Sequence, residues 1–182
     1  MPRKKAKRKY GMVEILGFAA ICIFVVGILW LAFSTPSQPP SQTTTYALAR
    51  DFTLTDVDGN TFRLSDQQGK VVVLEFMRTT CPACVAESPH LRELRAKFGG
   101  DVVMVMISVD PTGDTDSVLR DYRNQNAMGW IAAADKGYAV QQGYAVQATP
   151  TIVIIDKNGY IKYQHVGVTE SPILIGEVGN LT

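Results

Sequence analysis

The 182-residue chain is poor in cysteine, histidine and net charge, with three Cys, two His and a formal balance of +1. So few cysteines exclude a small domain stapled by several disulfides. A four-ligand zinc site of the usual spacing needs a second cysteine pair, which is missing, and the two His stand in ordinary contexts. There is no Gly-rich phosphate loop of the right spacing and no Ser/His/Asp set. The near-neutral balance hides an asymmetry. Six of the 18 basic residues but only one of the 17 acidic ones precede Ile15. The remainder carries a net charge of −4, which argues against a basic nucleic-acid footprint. An apolar fraction of 46% is too high for a disordered chain.

Ile15 to Phe33 (ILGFAAICIFVVGILWLAF) is a run without a charge. As a helix it spans roughly 28 Å, close to the hydrocarbon thickness of a bilayer. Tyr10 and Trp30 would stand at the two interfaces, and the preceding basic cluster puts the N-terminus in the cytoplasm. The alternative is a cleaved signal peptide, for which the run is long and Ala32-Phe33-Ser34 a poor cleavage site. Cys22, inside the run, is read as a packing or lipid-facing residue. The expected organisation is a basic cytoplasmic segment (1–14), a transmembrane anchor (15–33), a Pro/Ser/Thr-rich linker (34–46) and one exported domain (47–182). That domain has about 135 residues, enough for a real core.

Within the domain, Phe52–Thr55 and Thr61–Leu64 flank a turn and predict a small hairpin. Val71–Met77 and Val102–Val109 are short, nearly continuous apolar runs, the pattern of buried strands. A helix is expected from just after Cys81 to about Phe98, with Leu91, Leu94 and Phe98 on one face. Asp114 or Thr115 caps a second helix running to about Asn126. A shorter helix around Lys136–Gln142 follows, then strands at Thr151–Ile155 and Tyr160–Val166 and a short apolar segment from Ser171. Two β-α-β passes and a closing hairpin predict an α/β fold, a mixed sheet with helices on both faces.

Cys81-Pro82-Ala83-Cys84 lies where the first of these strands hands over to a helix. A helix N-terminus offers unpaired N–H groups and a favourable dipole, which stabilise a thiolate. Pro82 in the first turn forfeits no hydrogen bond. Two intervening residues bring the sulfurs together, so Cys81 is expected as the exposed attacking thiol and Cys84 as the buried resolving thiol. The competing readings are a static disulfide, which so short a loop would stabilise little, half of a metal site, and two core cysteines that meet by chance.

These stretches resemble the thioredoxin superfamily, and within it the membrane-anchored TlpA/ResA-type thiol–disulfide oxidoreductases, over roughly Ala47 to Val168. The resemblance rests on DFTLTDVDGNTFRLSDQQGKVVVLEF, CPACVAESPHL, ISVD and YAVQATPTIVIIDKNGYI. It implies a thioredoxin-like fold, reduction of exported clients such as apocytochromes c, a membrane electron donor, and no cofactor beyond the Cys81–Cys84 couple. Thr149-Pro150 matches the cis-proline loop facing the cysteines, where the Thr149 backbone would pair with an extended client. The other reading is a trans proline opening the next strand. Glu75, six residues before Cys81, matches a buried acid able to shuttle the Cys84 proton, or is a solvent-facing strand residue. Glu87 matches an active-site Glu of ResA-type proteins, or is a solvated helix charge. Thr80 stands where the family usually has Trp, and Arg78 and Thr79 where small or apolar residues are common.

The leading expectation is therefore a dithiol that reduces exported proteins. The alternatives are an oxidase donating its disulfide, a thiol peroxidase, and copper delivery by Cys81, Cys84 and His165. The peroxidase pattern wants Thr and Pro where Arg78 and Leu74 stand. His90 is expected at the surface, and Met104 and Met106 in the core.

Overall fold

The computed structural model of the protein describes residues 46–182. The basic segment, the expected anchor and the linker up to residue 45 lie outside the described residues. Among the described residues no helix is long and apolar enough to cross a membrane.

The predicted hairpin forms from β1 (Thr53–Thr55) and β2 (Thr61–Arg63), paired antiparallel. β3 (Val71–Met77) leads into α1 (Pro82–Phe98). β4 (Val102–Ser108) leads into α2 (Asp116–Gln125) and then β5 (Ile131–Ala134). α3 (Ala139–Gly143), β6 (Thr151–Ile155), β7 (Ile161–Val166) and α4 (Ser171–Gly179) complete the domain. The main sheet has the order β5-β4-β3-β6-β7. β3, β4 and β5 run parallel, whereas β6 is antiparallel to both β3 and β7.

All seven residues of β3 are buried, because this central strand is covered on both faces. On one face Val73, Met104, Met106 and Ile154 pack with Leu91 and Leu94 of α1, Leu119 of α2 and Leu174 of α4. On the other, Leu74, Phe76, Ile107 and Val153 pack with the hairpin, with Val140 of α3 and with Tyr144, its C-cap. Glu75 belongs by alternation to the first face, in register with Met106 and Ile152. The central strand thus aims a carboxyl at the helix that carries both cysteines.

Two elements differ from expectation. The sequence reading assigns no strand to Ile131–Ala134, whose IAAA composition has weak strand propensity. Pairing with β4 makes it one, reinforced where the Val57 N–H donates to the Ala132 carbonyl. The second parallel pass therefore ends on β5, and β6 reverses direction. The short helix starts at Ala139, because Lys136–Tyr138 forms the turn before it.

Replacing Leu94, fully buried where α1 packs on the sheet, with Ala should lower unfolding stability by about 2–5 kcal/mol in chemical denaturation. Val118→Ala on the exposed side of α2 should cost under about 0.5 kcal/mol.

Candidate active site

Cys81 is the N-cap of α1, and its sulfur accepts a hydrogen bond from the Cys84 N–H at 3.2 Å. Its thiol also donates to the Thr149 carbonyl at 3.5 Å. Both cysteines are free. Cys81 retains 9% of its surface and Cys84 none. The expected order of accessibility holds, although Cys81 is more recessed than expected.

The two sulfurs are tuned apart. Burial pushes the Cys81 thiol up, but hydrogen bonds from Cys84, Thr149 and the helix N–H groups outweigh it, so the net shift is downward. Burial, followed by the hydrogen bond with Cys81, pushes Cys84 up to about 12. The pair offers one ready nucleophile and one thiol that holds its proton.

Two carboxyls are buried on the elements that hold the cysteines, Glu75 on β3 and Glu87 one turn after Cys84 on α1. Glu75 is buried, and neither of its oxygens has a hydrogen-bond partner. Burial, the Glu87 charge and the Cys81 charge together raise it well above the usual carboxylate range. Glu87 is also fully buried, which removes the solvated-helix reading. Burial raises it to about 7 although the Thr169 N–H donates to it at 2.7 Å. Its second oxygen is unpartnered.

The Thr149-Pro150 peptide bond is cis, and the Pro150 carbonyl accepts from the Gly167 N–H at the end of β7. This loop therefore faces the helix N-terminus, as the resemblance implied. Beside it, Arg78, Asp110, Gln141, Val146, Gln147 and Thr149 border a cleft of about 430 Å³. Val85, Val166 and Val168 are exposed apolar residues flanking the cysteine helix and the cis-proline loop. A larger cleft of about 480 Å³ lies between the hairpin and α3 and includes neither cysteine.

Of the remaining positions, His90 departs from its expected surface setting and the two methionines keep to theirs. His90 is half-buried, and its ring accepts from the Ser171 N–H at 3.3 Å. With Glu87 it ties the start of α4 to α1. His165 is exposed on β7, and among the described residues no cluster of three His, Cys, Asp or Glu has a metal-binding arrangement. Met104 and Met106 are core residues.

Sequence reasoning missed Tyr122. It is buried on α2 with an unpartnered hydroxyl, and burial raises it to about 12, with the Glu75 and cysteine charges adding to the shift. Its helical spacing from Leu119 signalled burial but not what the hydroxyl faces.

A helix-capping cysteine pair opposite a cis-proline, on a mixed five-stranded sheet, defines a thioredoxin-superfamily dithiol oxidoreductase. The family model described as Redoxin matches residues 45–180, and the chain belongs to that family. The thiol-disulfide oxidoreductase ResA of Bacillus thuringiensis is 33% identical over 134 residues, covering 74% of this chain and 76% of that protein. A crystal structure described as a DsbE thiol:disulfide interchange protein from Chlorobium tepidum has a TM-score of 0.66 at 28% identity, covering 75% of this chain and 96% of that one. The exposed lipoprotein thioredoxin Etrx1 of Streptococcus pneumoniae has a TM-score of 0.61 at 29% identity, covering 72% of this chain and 100% of that one. These likenesses group the chain with the ResA/TlpA-type thiol–disulfide oxidoreductases.

Glu87 binds its proton more tightly in the folded than in the unfolded chain, so folding stability falls as pH rises from 4.5 to about 7. Glu87→Gln should remove about 3 kcal/mol of that fall. Denaturant titrations of both proteins at pH 4 and pH 8 would check it, and parallel pH dependences would exclude it.

Proposed function

We propose that the protein is an extracytoplasmic reductase that passes electrons from a membrane donor to disulfides of exported proteins. Residues 15–33 anchor it as a single span, with the N-terminus in the cytoplasm. The observation that carries the reading is the placing of Cys81 at the N-cap of α1, where it accepts the Cys84 N–H, with Cys84 fully buried one turn behind it.

In this reading the Cys81 thiolate attacks one sulfur of a client disulfide, and the other leaves as a thiolate that takes up a proton. A mixed disulfide joins Cys81 to the client. Cys84 then gives up its proton and attacks the Cys81 sulfur, which closes the Cys81–Cys84 disulfide and frees the second client thiol. Two electrons have passed to the client, whose two thiolates take one proton from solvent and one from Cys84 by way of Glu75, and the membrane donor restores the dithiol. Glu75 is the first acceptor for the Cys84 proton, because its raised basicity narrows the gap to the thiol. Glu87 supports it from the far side of the helix turn. The couple itself is the only redox group required.

The client lies extended along the cis-Pro150 loop, pairing with the Thr149 backbone. The polar cleft receives one flank of its cysteine and the exposed valines the other. Reduction is favoured over disulfide donation by the likeness to ResA-type proteins, and because the Cys81 sulfur makes no hydrogen bond to a cation among the described residues that would stabilise the reduced form further.

Titration of the full-length chain against a thiol buffer should give a potential near or below roughly −230 mV, whereas a value above about −150 mV would make it a disulfide donor. Cys84→Ser should accumulate a mixed disulfide with client protein, and Cys81→Ser should abolish exchange. Recovery of the trapped species from the Cys81 variant instead would reverse the two assignments.

A further inference from the structure

Six residues beyond the end of β4, Asp114 is 1% exposed and makes no ion pair among those found in the described residues. Its position suggested a cap for α2, but that cap is Thr115, whose hydroxyl accepts from the Val118 N–H. Asp114 instead reaches across to the segment before the cysteines. One oxygen accepts from the Thr79 N–H at 3.1 Å and from the Ser108 hydroxyl at 2.5 Å. The other accepts from the Thr79 hydroxyl.

Burying a carboxylate costs several kcal/mol unless hydrogen bonds replace the lost water. This one is supplied with three neutral donors. A carboxylate, acceptor-only and with several lone pairs, receives all three together. Ser108 is held in its turn, because its oxygen also accepts from the Asp110 N–H at 3.1 Å. The Val109 N–H donates to the Met77 carbonyl, which ties the ends of the neighbouring parallel strands together.

What these bonds hold is the approach to Cys81. Thr79 lies inside the turn closed by the Cys81 N–H donating to the Arg78 carbonyl at 3.1 Å. That turn delivers Cys81 to the N-cap position, where its sulfur meets the Cys84 N–H.

We propose that Asp114 and Thr79 form a clamp that positions Cys81, holding its sulfur in line with the N–H groups of α1 so that the thiolate is stabilised without a cation. Asp114 is a positioning residue, acting through Thr79 and the turn. The inference rests on the reading of Cys81 as the attacking thiolate.

The test is the pH profile of Cys81 alkylation by iodoacetamide in the full-length chain, with each variant checked for folding by thermal melting. Cys84, Glu75 and Tyr122 face Cys81 from α1, β3 and α2, the Thr149 loop brings no charge, and all stay unchanged. Thr79→Val removes the hydroxyl at constant shape and should move the profile midpoint up in pH by about 0.5–1, the worth of one ordinary hydrogen bond. Thr79→Ser should restore it. Asp114→Asn keeps the geometry, since its NH₂ can donate to the Thr79 hydroxyl, and removes the charge, so it should lower the midpoint where Thr79→Val raises it. A Thr79→Val profile coincident with wild type, equal shifts in Thr79→Val and Thr79→Ser, or a Thr79→Val midpoint lowered as in Asp114→Asn would each overturn the clamp. An ordinary-thiol profile in the wild-type chain would overturn the nucleophile assignment together with it.

Discussion

The junction between β3 and α1 is the constraint on which the rest of the site depends. A strand buried on both faces must end within four residues of a helix whose N–H groups are free to meet a sulfur. The helix end is polar and the sheet behind it is dry, so two cysteines one turn apart occupy opposite electrostatic settings. Cys81 takes the N–H groups, and Cys84 takes the desolvated interior with its two carboxyls. Neither setting exists in the tetrapeptide itself. Both come from where the strand stops.

The other elements converge on that junction from different directions. The cis-Pro150 loop brings a carbonyl to Cys81 from β6. α4 closes the opposite side, and its first turn is tied to α1 by Glu87 and His90 instead of by its own N-cap residue, Glu170, which makes no capping bond. The turn after β4 contributes Asp114. Four separate stretches of chain therefore meet around two sulfurs, and the sheet order β4-β3-β6 brings them there.

Much of this was legible in the residues. Val71–Met77 announced its double burial by an almost unbroken apolar run, and α1 announced its limits by Pro82 and the glycine pair after Phe98. β5 was not legible, because three alanines carry no strand signal and only pairing with β4 makes them one. The carboxyls were ambiguous for a related reason. A Glu within an apolar strand and a Glu on a helix face are each compatible with water or with burial. Glu87 escapes solvent only because α4 folds over it, and nothing local to Glu87 says so. Tyr122 and Asp114 belong to the same class: the sequence reading assigns the first no role and the second only a cap, because their polar atoms face groups that lie far away in sequence.

The sequence by itself determined the chemistry. Two cysteines spaced by one helical turn after a buried strand allow little except thiol–disulfide exchange, because the amides that stabilise the first sulfur belong to the same short segment. The tertiary structure alone decided how that chemistry is tuned. Desolvation and hydrogen bonding are sums over neighbours from every packed element, so the depth of Glu75 and Glu87, the proton retained on Cys84 and the anchoring of Thr79 exist only once β4, α2, β6 and α4 have closed around them.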